Sequence, residues 1–463
     1  MELKLQRVLV VGLGKSGVSA ALFLQSQGAR VTVSDSKAEV QLGSYIPRLL
    51  DRGIVVETGG HGERTFREQD LIVVSPGVPV DSPLLNQART FGIPIIGEVE
   101  LASRFLKGKI IAITGANGKT TTTALIGEIL GKSGFKTQVG GNIGTPVTDM
   151  IATSSVDGWN VLEVSSFQLE TIQSFRPHIA AILNITPDHL DRHGSFAAYA
   201  AAKARIFKNQ TADDYAVLNG DDPACIIMAA KIKSRIHWFG AKSGNKQQTT
   251  CGTRVRAANI FYRDDQGEHE IMPTKEISLK GAHNLENVLA AVCVSMLAGC
   301  QADDIRRAVH EFKAVEHRLE HVATIGGVAY YNDSKATNVD ATIKALESFP
   351  SGIHLILGGK DKGSDYTLLN PMLKARAKKV YTIGAAAEKI ESQIAGAPVV
   401  RAHTLDKAVQ LAAADAISGD VIVLAPACAS FDQFDSYEHR GRVFKQLVHQ
   451  LAAEALASGA RHG

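Results

Sequence analysis

The sequence predicts an α/β protein of three domains: a Rossmann-like N-terminal domain, a central P-loop ATPase-type parallel sheet and a C-terminal Rossmann-like α/β domain. Three observations carry that expectation. Strand-like apolar runs alternate with helical periodicity along the chain, two strand–glycine–helix junctions follow residues 11 and 114, and 463 residues exceed what one hydrophobic core usually serves. The expected boundaries are 1–97, 98–314 and 315–463.

The first domain opens with the β-rich run Arg7 to Val11, followed by Gly12-Leu13-Gly14-Lys15-Ser16-Gly17 and a helix marked by Val18, Ala21, Leu22 and Leu24. Ala29 to Ser34 and Leu71 to Ser75 read as further buried strands. The pattern restarts at Lys109 to Ile113, which enters a second glycine loop and a helix carrying Leu125, Ile126, Ile129 and Leu130 on one face. Strands are expected at Val161 to Val164, Ile179 to Leu183 and Tyr215 to Leu218. The polar stretch from Lys242 to Arg263 has no helical period and reads as a β excursion or loop. Helices from Asn284 to Leu297 and from Asp303 to Phe312 close the middle domain, leaving Lys313 to Arg318 as a hinge. The third domain holds strands at Val328 to Tyr331, His354 to Leu357, Lys379 to Ile383 and Val421 to Leu424. The tail Ala457 to Gly463 reads as disordered.

Bulk properties exclude several classes. With 45% hydrophobic and 21% charged residues the chain is neither disordered nor fibrous. A net charge of +3 is too small for a nucleic-acid coat. No apolar run reaches the roughly 18 residues needed to cross a bilayer. Five cysteines without CxxC spacing fit a reducing cytoplasm. No exposed apolar stripe stands out, so a monomer is expected.

Gly115-Ala116-Asn117-Gly118-Lys119-Thr120 joins a strand to a helix N-terminus, where several backbone N–H groups and the helix dipole favour phosphate. Lys119 is placed to reach the β- and γ-phosphates, and the Thr120 hydroxyl to bind Mg²⁺. The full GxxxxGK[ST] spacing would put glycine at Ile113, so the loop is a shortened variant. Gly12-x-Gly14-x-x-Gly17, with Asp35 ending the next strand, meets the spacing of a dinucleotide fingerprint. Read by itself it specifies an NAD-dependent oxidoreductase. The same backbone suits the diphosphate of a nucleotide-linked substrate, with Asp35 bonding a polar group, and also occurs as a packing motif. Glu163 closes a strand on the side where open α/β sheets bind ligands, and a carboxylate there suits Mg²⁺. His189 lies in a polar loop after another strand, fit to orient substrate or join a metal shell. Lys203, on an alanine-rich helix from Phe196 to Phe207, reads from spacing as a solvated lysine.

Taken together, Thr114-Gly115-x-Asn117-Gly118-Lys119-Thr120, Glu163-Val164-Ser165-Ser166-Phe167-Gln168, Asn184-x-x-x-Asp188-His189-Leu190-Asp191 and Tyr199-x-x-x-Lys203 resemble the Mur ligase family. Gly281-x-His283-Asn284-x-x-Asn287, His317-Arg318-Leu319-Glu320, Asn332 to Asn338 and Gly358-Gly359-Lys360-Asp361-Lys362 extend the resemblance over essentially the whole chain. These are ATP-dependent amide ligases of bacterial peptidoglycan precursor synthesis. Within the family, Pro426 to Phe434, Asn332 to Asn338 and the short first domain with Ser75-Pro76-Gly77 most resemble the members that add D-glutamate. A folylpolyglutamate-type ligase shares the central domain but has no need of the glycine fingerprint.

The resemblance implies a cytoplasmic enzyme with UDP-N-acetylmuramoyl-L-alanine, D-glutamate and ATP as substrates, two Mg²⁺ ions, and a carbamate on Lys203. It implies catalytic roles for Lys119, His189, Lys203 and Lys335, and metal contacts from Thr120, Glu163, His189 and carbamylated Lys203. ATP would meet Gly115, Asn117, Gly118, Lys119, Thr120, Thr121, Asn284, Asn287, Arg318 and Asp333. The UDP-sugar would meet Gly14, Lys15, Ser16, Asp35, Ser36, Lys37, Ser75, Gly77, Asn142 and Ser165. D-Glutamate would meet Thr337, Lys362, Ser430, Phe431 and Tyr437. Tyr437 stands where a phenylalanine is expected, and Lys360 occupies a position of variable charge, which leaves Lys362 the stronger claim.

Overall fold

A computed structural model describes residues 2–43, 45–242, 251–279, 281–313 and 316–459. The expected boundary at 314/315, and with it the centre of the expected hinge, lies outside the described residues, as do residues 243–250 of the polar stretch.

The first sheet is built from β1 (Arg7–Val11), β2 (Arg30–Ser34), β3 (Val55–Glu57), β4 (Leu71–Val74) and β5 (Ile95–Gly97). Its order is β3-β2-β1-β4-β5, all parallel. Val8, Val10, Val31, Val33 and Val73 pack on one face with Val18, Ala21 and Leu24 of the helix Lys15–Ser26. Leu9, Val11, Ile72 and Val74 pack on the other with Leu85 and Ala88. Burial on both faces is why these strands read as unbroken apolar runs. Strand order reverses between β1 and β4, so the Gly12 turn and Ser75 flank the crevice at the switch point.

The second sheet contains β6 (Lys109–Thr114), β7 (Thr137–Gly141), β8 (Trp159–Glu163), β9 (Ile179–Ile182), β10 (Tyr215–Asn219), β11 (Arg235–Gly240), β12 (Gly252–Arg256), β13 (Asn259–Asp264) and β14 (Gly267–Pro273). Its order is β14-β13-β12-β11-β10-β9-β6-β8-β7. The strands from β12 to β7 pair in parallel, whereas β12, β13 and β14 form an antiparallel edge, the β alternative expected for the polar stretch. β6 sits between β9 and β8, so the loop it feeds is flanked by the carboxyl ends of both.

The third sheet comprises β15 (Glu320–Ile325), β16 (Val328–Asn332), β17 (Ile353–Gly358), β18 (Ala377–Ile383), β19 (Val399–His403) and β20 (Val421–Leu424). Its order is β15-β16-β20-β17-β18-β19, with only β15 antiparallel. Leu355, Leu357 and Val423 face one apolar layer; Ile356, Ile422 and Leu424 face another that includes Phe444 and Val448 of the C-terminal helix. That helix, Tyr437–Gly459, carries residues 457–459 of the tail expected to be disordered, because the helical segment continues past its apolar anchor; residues 460–463 lie outside the described residues.

The chain forms two compact units. One comprises Met1–Ile185, Ala200–Glu276 and Glu286–Glu311; the other comprises Thr186–Tyr199, Ile277–Leu285 and Phe312–Gly463. All five cysteines are free thiols. No helix among the described residues is long and apolar enough to cross a membrane.

Candidate active site

In the first unit the glycine loop after β6 is held open by its own backbone. Gly118 caps the helix Lys119–Lys132 at φ +83°, and a Cβ there would run into the Asn287 side chain. Asn184, at the end of β9, fastens the loop from the side. Its carbonyl oxygen accepts from the Ala116 N–H at 3.0 Å, its Oδ1 accepts from the Asn117 N–H at 2.8 Å, and its Nδ2 donates to the Asn117 carbonyl at 3.1 Å. The Lys119 ammonium donates to the Gly115 and Ala116 carbonyls at 3.0 and 2.8 Å. The Thr121 hydroxyl, sealed from solvent in the first turn, finds no acceptor or donor among the described residues. Anions favour such a helix N-terminus.

Around this loop lie three of the four expected metal-binding groups, Thr120, Glu163 and Lys203, whereas His189 belongs to the second unit. Glu163, 1% exposed at the end of β8, accepts from the Thr120 hydroxyl at 2.8 Å and from Asn142 Nδ2 at 2.8 Å. Lys203 is 2% exposed rather than solvated, and its Nζ donates to the Gly115 carbonyl at 2.8 Å. The solvated reading from spacing is thereby overturned: this turn of the alanine-rich helix faces the phosphate loop, not water. A buried carboxylate beside a hydroxyl is an oxygen donor set that fits Mg²⁺. An ammonium repels a cation, so Lys203 joins that set only once its charge is reversed.

The first glycine motif lines a cleft of about 540 Å³ together with Lys15, Ser16, Asp35, Ser36, Lys37, Ser75 and Gly77. His61, which the sequence did not single out, lines it too and meets the Ser34 hydroxyl at 2.8 Å. Gly17 is glycine for packing, since a Cβ would strike the Gly12 carbonyl. Asp35 accepts from the Leu13 and Lys37 N–H groups at 2.6 and 2.8 Å, so its carboxylate fixes the cleft walls. That is a different duty from the ribose contact of a dinucleotide fingerprint. Asn142 and Ser165 are not part of this lining: Asn142 holds Glu163, and Ser165 caps the helix Ser166–Glu170 in a reciprocal box with Gln168.

The second unit brings together a different set. His189 has φ +53° and caps the helix Leu190–His193, and its N–H donates to Asp188 Oδ1 at 2.9 Å. Asp188 also accepts from Lys362 Nζ at 2.8 Å and from Asn338 Nδ2 at 2.9 Å. Burial acts to raise the Asp188 carboxyl, but Lys362 and His189 outweigh it and hold the group well below the usual carboxylate range. Ser430 is 2% exposed and its hydroxyl has no partner among the described residues, an unsatisfied group of the kind a ligand completes. Phe431 beside it is exposed. Lys335 Nζ donates to the Tyr437 hydroxyl at 3.0 Å and lies over its ring, so the tyrosine orients a cation that a phenylalanine could only stack on. Burial raises the Asp333 carboxyl to about 6 against the opposing pull of Arg318, 3.9 Å away. Asn284 is buried in this unit, and Thr337 follows Lys335 in the same turn, where its N–H donates to the Lys335 carbonyl at 2.8 Å.

Residues 6–97 match the family described as Mur ligase MurD-like, N-terminal domain; residues 113–295 match the Mur ligase middle domain; and residues 317–428 match the Mur ligase glutamate ligase domain. The chain is 64% identical over 454 residues to the UDP-N-acetylmuramoylalanine–D-glutamate ligase of Koribacter versatilis, covering 98% of this chain and 99% of the relative. It is 62% identical to the enzyme of the same name from Acidobacterium capsulatum, covering 97% of each. Among solved structures it resembles a pseudomurein peptide ligase type C from Methanothermus fervidus at a TM-score of 0.61 and 19% identity, covering 96% of this chain and 100% of the other. The UDP-N-acetylmuramate-alanine ligase of Thermotoga maritima gives 0.60 at 20% identity, covering 96% and 99%. At these identities the structures speak for the fold alone.

Proposed function

The chain belongs to the Mur ligase family, and from that membership we propose that it joins D-glutamate to UDP-N-acetylmuramoyl-L-alanine with conversion of ATP to ADP and phosphate. The observation that carries the reading is the phosphate loop with Thr120, Glu163 and Lys203 gathered on it. In this reading residues 1–97 hold the uridine nucleotide, 98–314 the ATP and 315–463 the amino acid, in a monomeric enzyme. ATP and UDP-linked sugars are cytoplasmic metabolites, which places the reaction in the cytoplasm.

A carboxylate does not acylate an amine at neutral pH because oxide is a poor leaving group, so it must first be activated. The terminal alanine carboxylate attacks the γ-phosphorus of ATP, forming the acyl–phosphate bond and releasing ADP. Lys119 leaves the Gly115 and Ala116 carbonyls for the phosphates, and the loop N–H groups hold them in line. The D-glutamate ammonium gives up one proton, its amine attacks the acyl carbon, and the tetrahedral adduct loses a second proton from nitrogen, expels phosphate and leaves the amide. Lys362 and the unpartnered Ser430 hydroxyl are suited to the carboxylates of the incoming amino acid. Thr120, Glu163 and carbamylated Lys203 would hold Mg²⁺. The ions supply charge neutralisation at the transferring phosphoryl group.

The test is phosphate release with ATP, Mg²⁺ and UDP-N-acetylmuramoyl-L-alanine against a panel of D- and L-amino acids. D-Glutamate alone is expected to stimulate it; stimulation by another amino acid in its place overturns the assignment.

A further inference from the structure

Arg440, on the C-terminal helix, is the largest of the fully buried side chains, with 0% exposure. Its partners are hydroxyl and carbonyl oxygens. Nε donates to the Ser334 hydroxyl at 2.9 Å, Nη2 donates to the carbonyls of Ser334 at 2.8 Å and Cys428 at 3.2 Å, and Nη1 donates to the Ala429 carbonyl at 3.4 Å. Burial lowers its pKa to about 10, with Cys428 and Asp432 acting in the opposite direction, so the guanidinium is charged at neutral pH. A third segment closes on the same group: a Cβ at Gly359 would stand 3.1 Å from Nη1 and would strike the Ala429 carbonyl. Lys360 and Ala429 exchange backbone hydrogen bonds at 2.8 and 3.1 Å, which ties that segment to the Cys428 turn.

These three segments follow β16, β17 and β20, which lie side by side in the third sheet as β16-β20-β17. Ligands of open α/β sheets bind outside the carboxyl ends of such strands. The turn after β16 carries Lys335 and Thr337, the turn after β17 carries Lys362, and the turn after β20 carries Ser430 and Phe431. Ala336, Ala427 and Cys428 sit in the apolar cluster beneath the turns, and the Ala427 N–H donates to the Ala336 carbonyl at 2.9 Å; above that base a planar cation with several fixed donors spans the turns.

We infer that Arg440 is the positioning residue of the amino-acid site, holding the Ser334, Gly359 and Cys428 turns at the spacing that a dicarboxylic amino acid requires. The inference rests on the proposed ligase reading. It acts without touching substrate, because every bond of the guanidinium ends on protein oxygen. A lysine in its place keeps the charge and loses the fork, leaving buried carbonyls unsatisfied and the turns free to separate.

The test is steady-state kinetics of the full-length enzyme with R440K. KM for D-glutamate is expected to rise by about tenfold or more, as for residues that orient ligand-contacting groups, while KM for the uridine nucleotide substrate is unchanged. A merely structural role lowers the folded fraction, so kcat falls with both KM values intact; that result overturns the inference, as does wild-type behaviour. If R440K does not fold, S334A carries the test by the same split: it removes the hydroxyl that accepts from Nε and donates to the Tyr437 carbonyl at 2.8 Å, both bonds to the helix that carries Arg440. An unchanged D-glutamate KM in S334A then overturns the inference. Wild-type enzyme assayed alongside separates the two failures: absence of D-glutamate-dependent phosphate release from wild type removes both readings, whereas a normal wild type beside an unaltered variant removes only this one.

Discussion

A lysine becomes an anionic oxygen ligand when its amine reacts with CO₂ to give a carbamate, and the attacking amine must be neutral. Lys203 is 2% exposed on the helix Phe196–Ala204, and its Nζ meets the loop that also carries Lys119, where a carbamate would stand beside Thr120 and Glu163. K203A is expected to lower ligase activity by about a hundredfold or more, and a short carboxylic acid is expected to restore part of it by standing in for the carbamate. Full activity of the unrescued variant would refute the role. Glu98 shows the converse case of a carboxylate kept close to neutrality. Burial raises it to about 7, while the N–H and hydroxyl of Thr148, at 2.7 and 3.0 Å, pull it down and Asp149 adds to the rise. A folded pKa above the unfolded value means that stability is greatest below about 4.5 and is lost as pH rises through about 7. The loss is on the order of 3 kcal/mol by the linkage relation. E98Q keeps the acceptor oxygen and abolishes the titration. Its thermal midpoint minus that of wild type is therefore expected to increase by several degrees from pH 5 to pH 8; a difference independent of pH counts against the assignment.

The glycine turn after β6 shows what an element adds to its residues. G118A places a methyl group against Asn287 at a backbone angle of +83°, so the loop must either move or strain. Calorimetric titration is expected to give ATP binding weaker by about tenfold or more, with uridine nucleotide affinity unaltered; equal weakening of both would show a general loss of structure. Elements of this kind were legible in the sequence because strand, glycine and helix signals follow one another without interruption. β1 and β20 were found to the residue for a related reason: strands buried on both faces are unbroken apolar runs. β5, β7 and β19 were missed because edge strands with half-buried residues carry no such run, and β7 ends in two glycines. In the candidate site, Lys119, Thr120 and Glu163 could be located from their place at strand ends. The duties of Asn184, Asp188 and Arg440 could not, because each is defined by a partner 67, 174 or 106 residues away in the chain. The family motifs contained Asn184 and Asp188, yet spacing alone gives no sign of which side chain each one holds.

At the scale of the whole molecule, the two proposed binding surfaces fall in different compact units: the 540 Å³ cleft belongs to one, and the turns that Arg440 bonds belong to the other. Ligands stabilise the unit they bind by mass action, and chains of several cores need not unfold in one step. Scanning calorimetry is expected to resolve two transitions, one raised by the uridine nucleotide substrate and the other by D-glutamate. A single transition raised equally by both would show that the units unfold together. The nine-stranded sheet adds a practical consequence. β14 lies six strands from β6, and neighbouring strands are about 4.8 Å apart, so the two are separated by roughly 29 Å. The antiparallel edge is also guarded by Glu268, His269 and Glu270, which discourage pairing with another chain. A fluorophore or surface tether attached at the β13–β14 turn would leave nucleotide chemistry undisturbed, giving single-molecule and immobilised assays an attachment point remote from the phosphate loop.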